Sequence, residues 1–479
     1  MSSINQYIDL LNANREAIDS HSAGALNAAR QSALEALAGQ RMPVKGDEDY
    51  EVTDLEEVFV ADYGVNINRI EMAANLAEAF HCDVPNLSTC LYFLINDSFK
   101  AAKNSANALP DGVIVKSLRD AAADNADIVD RYYGKAARLS DRPTALNTLL
   151  AQDGVFVYVP KGVAVEKPLQ IVNILTSGAP LMACRRLLIV VEENAQLRML
   201  ACDHTQAHNV DFLNSQVVEI FAGKNSVVDF YDIEDSSDRT RRVSTLYLHQ
   251  EAGSNLMVDG ITLKNGMTRN DFIVDLAGDN TELHLLGMAM ASGQRHVDNH
   301  TMVCHTAKGG HTDELFKYVL DDKAVGSFSG LIKVEPEADK TEAYQSNRNV
   351  LASTEARMFS KPQLLIDCDD VKCSHGSSIG QIDQNALFYM RSRGIPEHEA
   401  RLMLMQAFMN DVIDGVRLES LKDRLRHLVL PGQMENTKRV IDYVSTHFPP
   451  KTVLFSLMSQ YTPQSGSTGA LARRLNERE

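Results

Sequence analysis

Two short stretches of this chain hold residue types that bind metals or act as nucleophiles. In Asp369-Asp-Val-Lys-Cys373-Ser-His375-Gly376 a cysteine and a histidine stand two positions apart, just after the strand-like run Gln363-Leu-Leu-Ile. Side chains two apart on an extended backbone project from one face. A soft thiolate and an imidazole would then sit side by side, a donor pair that suits iron or zinc. Two ligands do not close a metal site. The rest would come from elsewhere in the chain, from sulfide or from another subunit, and the spacing alone leaves metal binding and plain burial both open. Cys368 is separated from Cys373 by an odd number of positions, which would turn it to the opposite face of a continuous strand.

The second stretch is His296-Val-Asp-Asn-His300-Thr-Met-Val-Cys304-His305, in which His296, His300 and Cys304 share parity and would line one side of a sheet. Stacked polar residues of this kind commonly serve structural hydrogen bonding. That is the favoured reading here, with metal binding the alternative.

Several catalytic signatures are missing. No Gly-x-x-x-x-Gly-Lys-Ser/Thr loop occurs, since Ala222-Gly-Lys-Asn stops short of one, so no nucleotide is expected to bind by that route. The sequence also lacks a strand-following Gly-x-Gly-x-x-Gly, a Gly-x-Ser-x-Gly elbow and a His-Glu-x-x-His helix. Hydrolase and dehydrogenase readings lose their usual support, and the chain is expected not to be an enzyme.

The 479 residues are 44% hydrophobic, enough for a large core in several domains, and the net charge of -17 gives no basic field for nucleic acid or an anionic membrane. The N-terminus has no cationic region followed by an apolar one, and no apolar run has the length of a membrane span. A soluble, cytoplasmic protein is the expectation. The seven cysteines are scattered without a Cys-x-x-Cys pair, which argues against disulfides or a zinc knuckle and for mostly buried thiols.

Residues 1–150 read as a helical and mixed domain. Ile4, Ile8 and Leu11 are spaced for one helix face and Met72, Leu76, Ala79 and Phe80 for another, with a loop from Lys45 to Asp54 and a last helix over Thr144–Leu150. From Val155 short β-rich runs take over: Val155–Val159, Leu169–Leu175, Leu187–Val191, Val217–Phe221 and Val227–Tyr231. No amphipathic helix interrupts them, which excludes alternating βαβ units. A polar turn followed by an apolar strand recurs, placing Leu197, Val227, Leu256 and Leu283 some 27 to 30 residues apart. That period predicts a parallel β-solenoid over 151–382, each coil burying its inward side chains on its neighbours. Right-handedness follows from the general chirality of parallel crossovers. The fold class is thus mostly β, a right-handed parallel β-helix flanked by helical domains.

Helix returns over 383–430. Asn385–Arg393 ends at Gly394, and a second helix starts with Glu397 and Glu399 in its first turn. Leu402, Met405, Met409, Val412 and Val416 form a stripe on it, read first as packing and second as a docking face. Residues 431–479 add one helix, Pro449-Pro450 and a tail expected to be mobile.

Over Asp370-Val-Lys-Cys-Ser-His-Gly-Ser-Ser-Ile-Gly-Gln-Ile-Asp and on to Leu387-Phe-Tyr-Met-Arg-Ser-Arg-Gly-Ile, the chain closely resembles the C-terminal signature of the SufB/SufD family, its SufD branch in particular. Asp153-Gly-Val-Phe-Val-Tyr-Val-Pro-Lys-Gly-Val, His296-Val-Asp-Asn-His-Thr and Glu314-Leu-Phe-Lys-Tyr-Val-Leu extend the likeness over roughly residues 60 to 425. The resemblance implies a non-enzymatic scaffold in an ATP-driven iron–sulfur cluster assembly complex. A SufC-like ATPase would dock on the C-terminal helical domain, with Phe388, Tyr389, Arg391, Arg393, Met405 and Met409 as candidate contacts. A SufB-like paralogue would face the end of the β-helix, and the chain would form a homodimer when alone. It further implies a transient cluster, or iron, shared with that partner at Cys373 and His375, His375 the stronger of the two. ATP-driven closure would twist the scaffolds and expose these ligands. Ala352–Met358 has no cysteine where SufB-type members carry a sulfur acceptor, so a role as primary acceptor is not expected. Two rival readings are an adaptor without cluster ligands and a β-helix carbohydrate-active enzyme.

Overall fold

A computed structural model describes residues 2–75, 90–101 and 109–428. They fall into two units, one ending at Gln381 and one beginning at Ile382. The first unit opens with helices α1 (Ser3–Ser20), α2 (Gly24–Leu37) and α3 (Leu55–Val60), then the short strands β1 (Gly64–Val65), β2 (Cys90–Ile95), β3 (Ser98–Ala101) and β4 (Ile114–Ser117). Helices α4 (Leu118–Asp124), α5 (Ala126–Tyr132) and α6 (Arg142–Leu150) follow. Ile4 and Leu11 are buried on α1 as their spacing predicts, and Lys45–Asp54 is irregular. Leu76, Ala79, Phe80 and everything after residue 428, including the tail, lie outside the described residues.

Sixteen strands then build the solenoid: β5 (Val155–Val159), β6 (Leu169–Leu175), β7 (Leu181–Val191), β8 (Gln196–Thr205), β9 (Phe212–Ala222), β10 (Val227–Asp235), β11 (Thr240–Gln250) and β12 (Asn255–Lys264). They continue as β13 (Met267–Leu276), β14 (Glu282–Ala291), β15 (His296–His305), β16 (His311–Leu320), β17 (Val325–Val334), β18 (Glu342–Leu351), β19 (Arg357–Ile366) and β20 (Lys372–Gln381). Odd-numbered strands pair in parallel in one sheet and even-numbered strands in the other, giving a parallel β-solenoid of about eight turns. The even sheet begins with β3 and β2, so the N-terminal region contributes to the solenoid as well as to the helices.

Alternation explains the core. Leu197, Val228, Leu256 and Leu283 stack in register on successive coils and are all fully buried. The stacked position in the second coil is therefore Val228, one residue after the Val227 that the repeat suggests. Each such side chain contributes about 1.5–3 kcal/mol over leaving it in water. Further along, Phe272, Phe316 and Phe328 pack in series with ring centroids 5.9 and 5.0 Å apart, so the interior is filled. Gly287 is required there, because a Cβ would stand 2.1 Å from the Phe316 ring.

The corners explain the recurring polar turn. Asn194, Asn225 and Asn280 adopt φ of 56°, 54° and 55°, and Gly253 takes the same left-handed region at 70°. Asn and Gly tolerate that region best.

Candidate functional site

Cys373 and His375 lie on the last strand of the even sheet, β20, where alternation turns both toward the solenoid interior. Cys373 is in register with the buried Ala343 and His375 with the buried Gln345. Cys373 is half-buried and packs on the core, whereas His375, two residues further along the strand, is exposed. Burial pushes the Cys373 thiol up, holding it in the protonated form. Strand β19 ends at Ile366 and β20 begins at Lys372, so Cys368 sits in a turn. The parity argument that sends it to the opposite face fails for that reason. Cys368 packs against the same core as Cys373, and its Sγ donates to Asp339 Oδ1 at 3.3 Å. No group of three or more His, Cys, Asp or Glu side chains converges to hold a metal among the described residues.

Behind His375 runs a polar column. Register places Glu314 on β16, Gln345 on β18 and His375 on β20 directly in line. Glu314 is fully buried, accepts from Thr301 Oγ1 at 2.6 Å and from Gln345 Nε2 at 3.0 Å, and burial raises its pKa to about 7. Sequence reasoning missed this residue as a site member. The signal was present: an acidic residue at the inward parity of β16, in the row that continues to Phe316, Tyr318 and Leu320.

The last coil is also an edge. Among the described residues β19 and β20 each have one strand neighbour, β17 and β18 respectively. Their outer rows of N–H and C=O groups form a template for further strand pairing. Phe359, Leu365, Ile366 and Ile379 are exposed there.

The second sequence cluster has a different job. His296, His300 and Cys304 share the outward face of β15, but four residues of strand separate each from the next by about 13 Å, too far for one ion. His296 and His300 instead join an ion network around Arg269. Arg269 binds Asp271 at 2.6 Å and Asp298 at 2.8 Å, and its Nη1 donates to the Asp49 carbonyl at 2.7 Å. Thr53 donates to Asp298 at 2.5 Å and lies 2.8 Å from His296 Nε2, while His300 Nδ1 is 3.1 Å from Asp271. Burial disfavours the two carboxylates' charge, yet Arg269, joined by His300 at Asp271 and by His296 and Thr53 at Asp298, outweighs it and holds both below their ordinary values. Burial lowers the pKa of His296 despite Asp298. The network fastens residues 49–53 to the solenoid. Cys304 stands apart, with its thiol raised by burial and by Glu335.

The second unit comprises α7 (Gln384–Ser392), α8 (Glu397–Gly415) and α9 (Glu419–Leu428). Asp383 caps α7 by accepting from the amides of Asn385 and Ala386, and Gly394 leaves it at φ 90°. Phe388 and Tyr389 are 72% and 58% exposed, Arg393 stacks 5.1 Å from the Tyr389 ring centroid, and Arg391 pairs with Glu397 at 3.3 Å. Met405 is half-buried. Met409 is fully buried with Leu402, Val412 and Val416, so its side chain is spent on packing and offers no exposed contact. No helix among the described residues is long and apolar enough to cross a membrane.

Comparison with known proteins agrees with this architecture. Residues 173–408 match the family described as SUF system FeS cluster assembly, SufBD core domain, and residues 1–171 match the SufBD protein N-terminal region. The chain is similar to an iron-sulfur cluster assembly SufBD family protein of Synechocystis sp., at 29% identity over 84% of this chain and 89% of the relative. It is likewise similar to iron-sulfur cluster assembly protein SufD of Bacillus subtilis, at 29% identity over 72% and 79%, and to that of Escherichia coli, at 36% identity over 36% and 41%. With both family regions covering the solenoid and the helices before it, the chain belongs to the SufBD family of iron–sulfur cluster assembly proteins.

Proposed function

We propose that this chain is a SufD-type, non-enzymatic scaffold subunit that supplies part of the ligand set for a nascent iron–sulfur cluster. The observation that carries the reading is the position of His375: exposed, on the inner face of the terminal coil, two residues from the half-buried Cys373 and on one of the two unpaired edge strands. A SufB-like paralogue meeting β19 and β20 would complete both the sheets and the donor set. Iron and sulfide are then cargo held between subunits. The chain itself binds no nucleotide in this reading. A SufC-like ATPase docks on the C-terminal helices, where Phe388 and Tyr389 are the exposed aromatic anchors. Its closure would open the scaffold interface. When alone, the chain would pair with a second copy, and the assembly works in the cytoplasm. The similarity to SufD proteins supports the branch, as does the absence of cysteine from Ala352–Met358.

The test is anaerobic cluster reconstitution on the co-purified complex with SufB-like and SufC-like partners. Wild type is compared with His375→Ala and Cys373→Ala after gel filtration shows that each complex assembles. Loss of the cluster chromophore with His375→Ala in an intact complex is the expected result. Normal loading by both variants would leave a purely mechanical adaptor.

A further inference from the structure

The column behind His375 has a loose end. Thr301 and Gln345 both donate to Glu314, which faces no cation in hydrogen-bonding reach among the described residues. Gln345 is 3% exposed, and its Oε1 is buried with no hydrogen-bond partner among the described residues. Gly330 makes room for this amide, since a Cβ there would stand 2.4 Å from Gln345 Nε2. A buried carbonyl oxygen without a donor costs about 1–3 kcal/mol, and the next residue along the column is His375.

An ionised carboxylate only accepts, so Glu314 fixes the amide with Nε2 toward itself and Oε1 away. An imidazole N–H suits that oxygen. A histidine that donates from one ring nitrogen keeps its lone pair on the other, as metal-binding histidines do.

Resting on the reading of His375 as a ligand, we propose that Glu314 and Gln345 are positioning residues for it: the carboxylate orients the amide, and the amide oxygen takes the imidazole N–H, leaving the other ring nitrogen to face a metal ion. A proton taken up from solvent by Glu314 reverses the pattern. The acid then donates to Oε1, the amide turns, and its NH2 competes for the imidazole lone pair. Metal binding at the open end is thereby tied to the charge on a residue two coils inside. Burial sets that proton's release near neutral pH, about 7. On β14 the register neighbour of Glu314 is Leu285, on β15 Thr301 faces it with His300 next in sequence, and on β18 Gln345 does; His300 is the titratable group that favours its charge.

The test uses the full-length apo chain labelled with 15N-histidine, with His375→Ala assigning the His375 signals. Above pH 7.5 wild type should hold one neutral tautomer in excess, while Glu314→Gln and Gln345→Met should populate both. Cobalt(II) titration followed by its visible absorption at pH 8 should show about tenfold weaker binding in each variant. If Glu314→Gln does not fold, Gln345→Met carries the test alone. An unchanged tautomer bias in a folded variant overturns the proposal, whatever cobalt does. Should the bias depend on Glu314 while His375→Ala binds cobalt as wild type does, the positioning stands and the ligand reading of His375 falls.

Discussion

The guanidinium of Arg269 lies 4.4 Å from the ring centroid of Tyr50, joining a mid-solenoid strand to a loop near the start of the chain. Stacking leaves the guanidinium edge free for Asp271 and Asp298, so one side chain serves an aromatic face and two buried carboxylates at once. Lys361 adds a tie from β19 to Glu51 at 2.9 Å.

Arg269→Met should cost about 3–5 kcal/mol, because it leaves two carboxylates buried without their cation. Urea unfolding of the purified chain checks this. Limited proteolysis should also find new cleavage between Lys45 and Asp54, and an unchanged digestion pattern would show the loop is held by other means.

The same network predicts acid sensitivity. Asp271 and Asp298 have folded pKa values below the unfolded value, so their stabilisation is present above pH ~4 and is lost as pH falls further. Unfolding midpoints measured from pH 6 to pH 3 should drop steeply in wild type, and less steeply in Asp298→Asn, which has already given up part of the term.

Asp259 works in the other direction. It is fully buried on β12, neither carboxylate oxygen has a hydrogen-bond partner among the described residues, and burial pushes its pKa up to about 8. A carboxyl raised on folding stabilises below its unfolded pKa and loses that advantage as pH rises through the folded value. Asp259→Asn should therefore raise the unfolding free energy at pH 8.5, by an amount on the order of a few kcal/mol, and change it little at pH 4. Equal effects at both values would sink the assignment.

Gly253→Ala should destabilise the chain by about 1–3 kcal/mol. Its φ is 70°, and the added Cβ would stand 2.3 Å from Asn225 Oδ1 in the adjacent corner. Differential scanning calorimetry against Gly39→Ala, which shares the positive φ but has open space around it, separates the contact from the backbone term.

Phe316→Ala should cost about 3–5 kcal/mol, since the ring lies between Phe272 and Phe328 and nothing nearby can refill the space. His375→Ala, at an exposed position, should shift stability by less than about 0.5 kcal/mol. A large loss of stability from His375→Ala would mark it as a structural residue.

Much of the solenoid was legible because two-residue alternation and turn chemistry are local. Val155–Val159 and Leu169–Leu175 coincide with β5 and β6, and the Asn-containing turns sit at corners with positive φ. Register was less legible. Val227 and Val228 are both apolar, so alternation cannot choose between them; stacking on Leu197 does. The role of His296 and His300 depends on Asp49 and Thr53, which no local pattern joins to β15. Cys368 was misplaced because a turn resets parity, and the turn is invisible where polar residues continue on both sides. The same-face geometry of Cys373 and His375 was readable; the amide and carboxylate behind His375 required the register of three coils.

The aromatic series Phe272–Phe316–Phe328 runs along the solenoid from β13 through β16 to β17. On its N-terminal side the interior holds charged groups, with Arg185 on Asp203 at 2.8 Å and Arg242 paired to Asp232. On its C-terminal side lie Gln345 and His375. Beside the rings the same coils carry a buried polar line, from Asn270 to Asn299, from Asn299 to the Tyr318 hydroxyl and from that hydroxyl to the Ser327 carbonyl, so an apolar row and a hydrogen-bonded row run side by side. A change at the open coil thus has two ways toward the far end, strain in the paired strands and rearrangement of this hydrogen-bonded line.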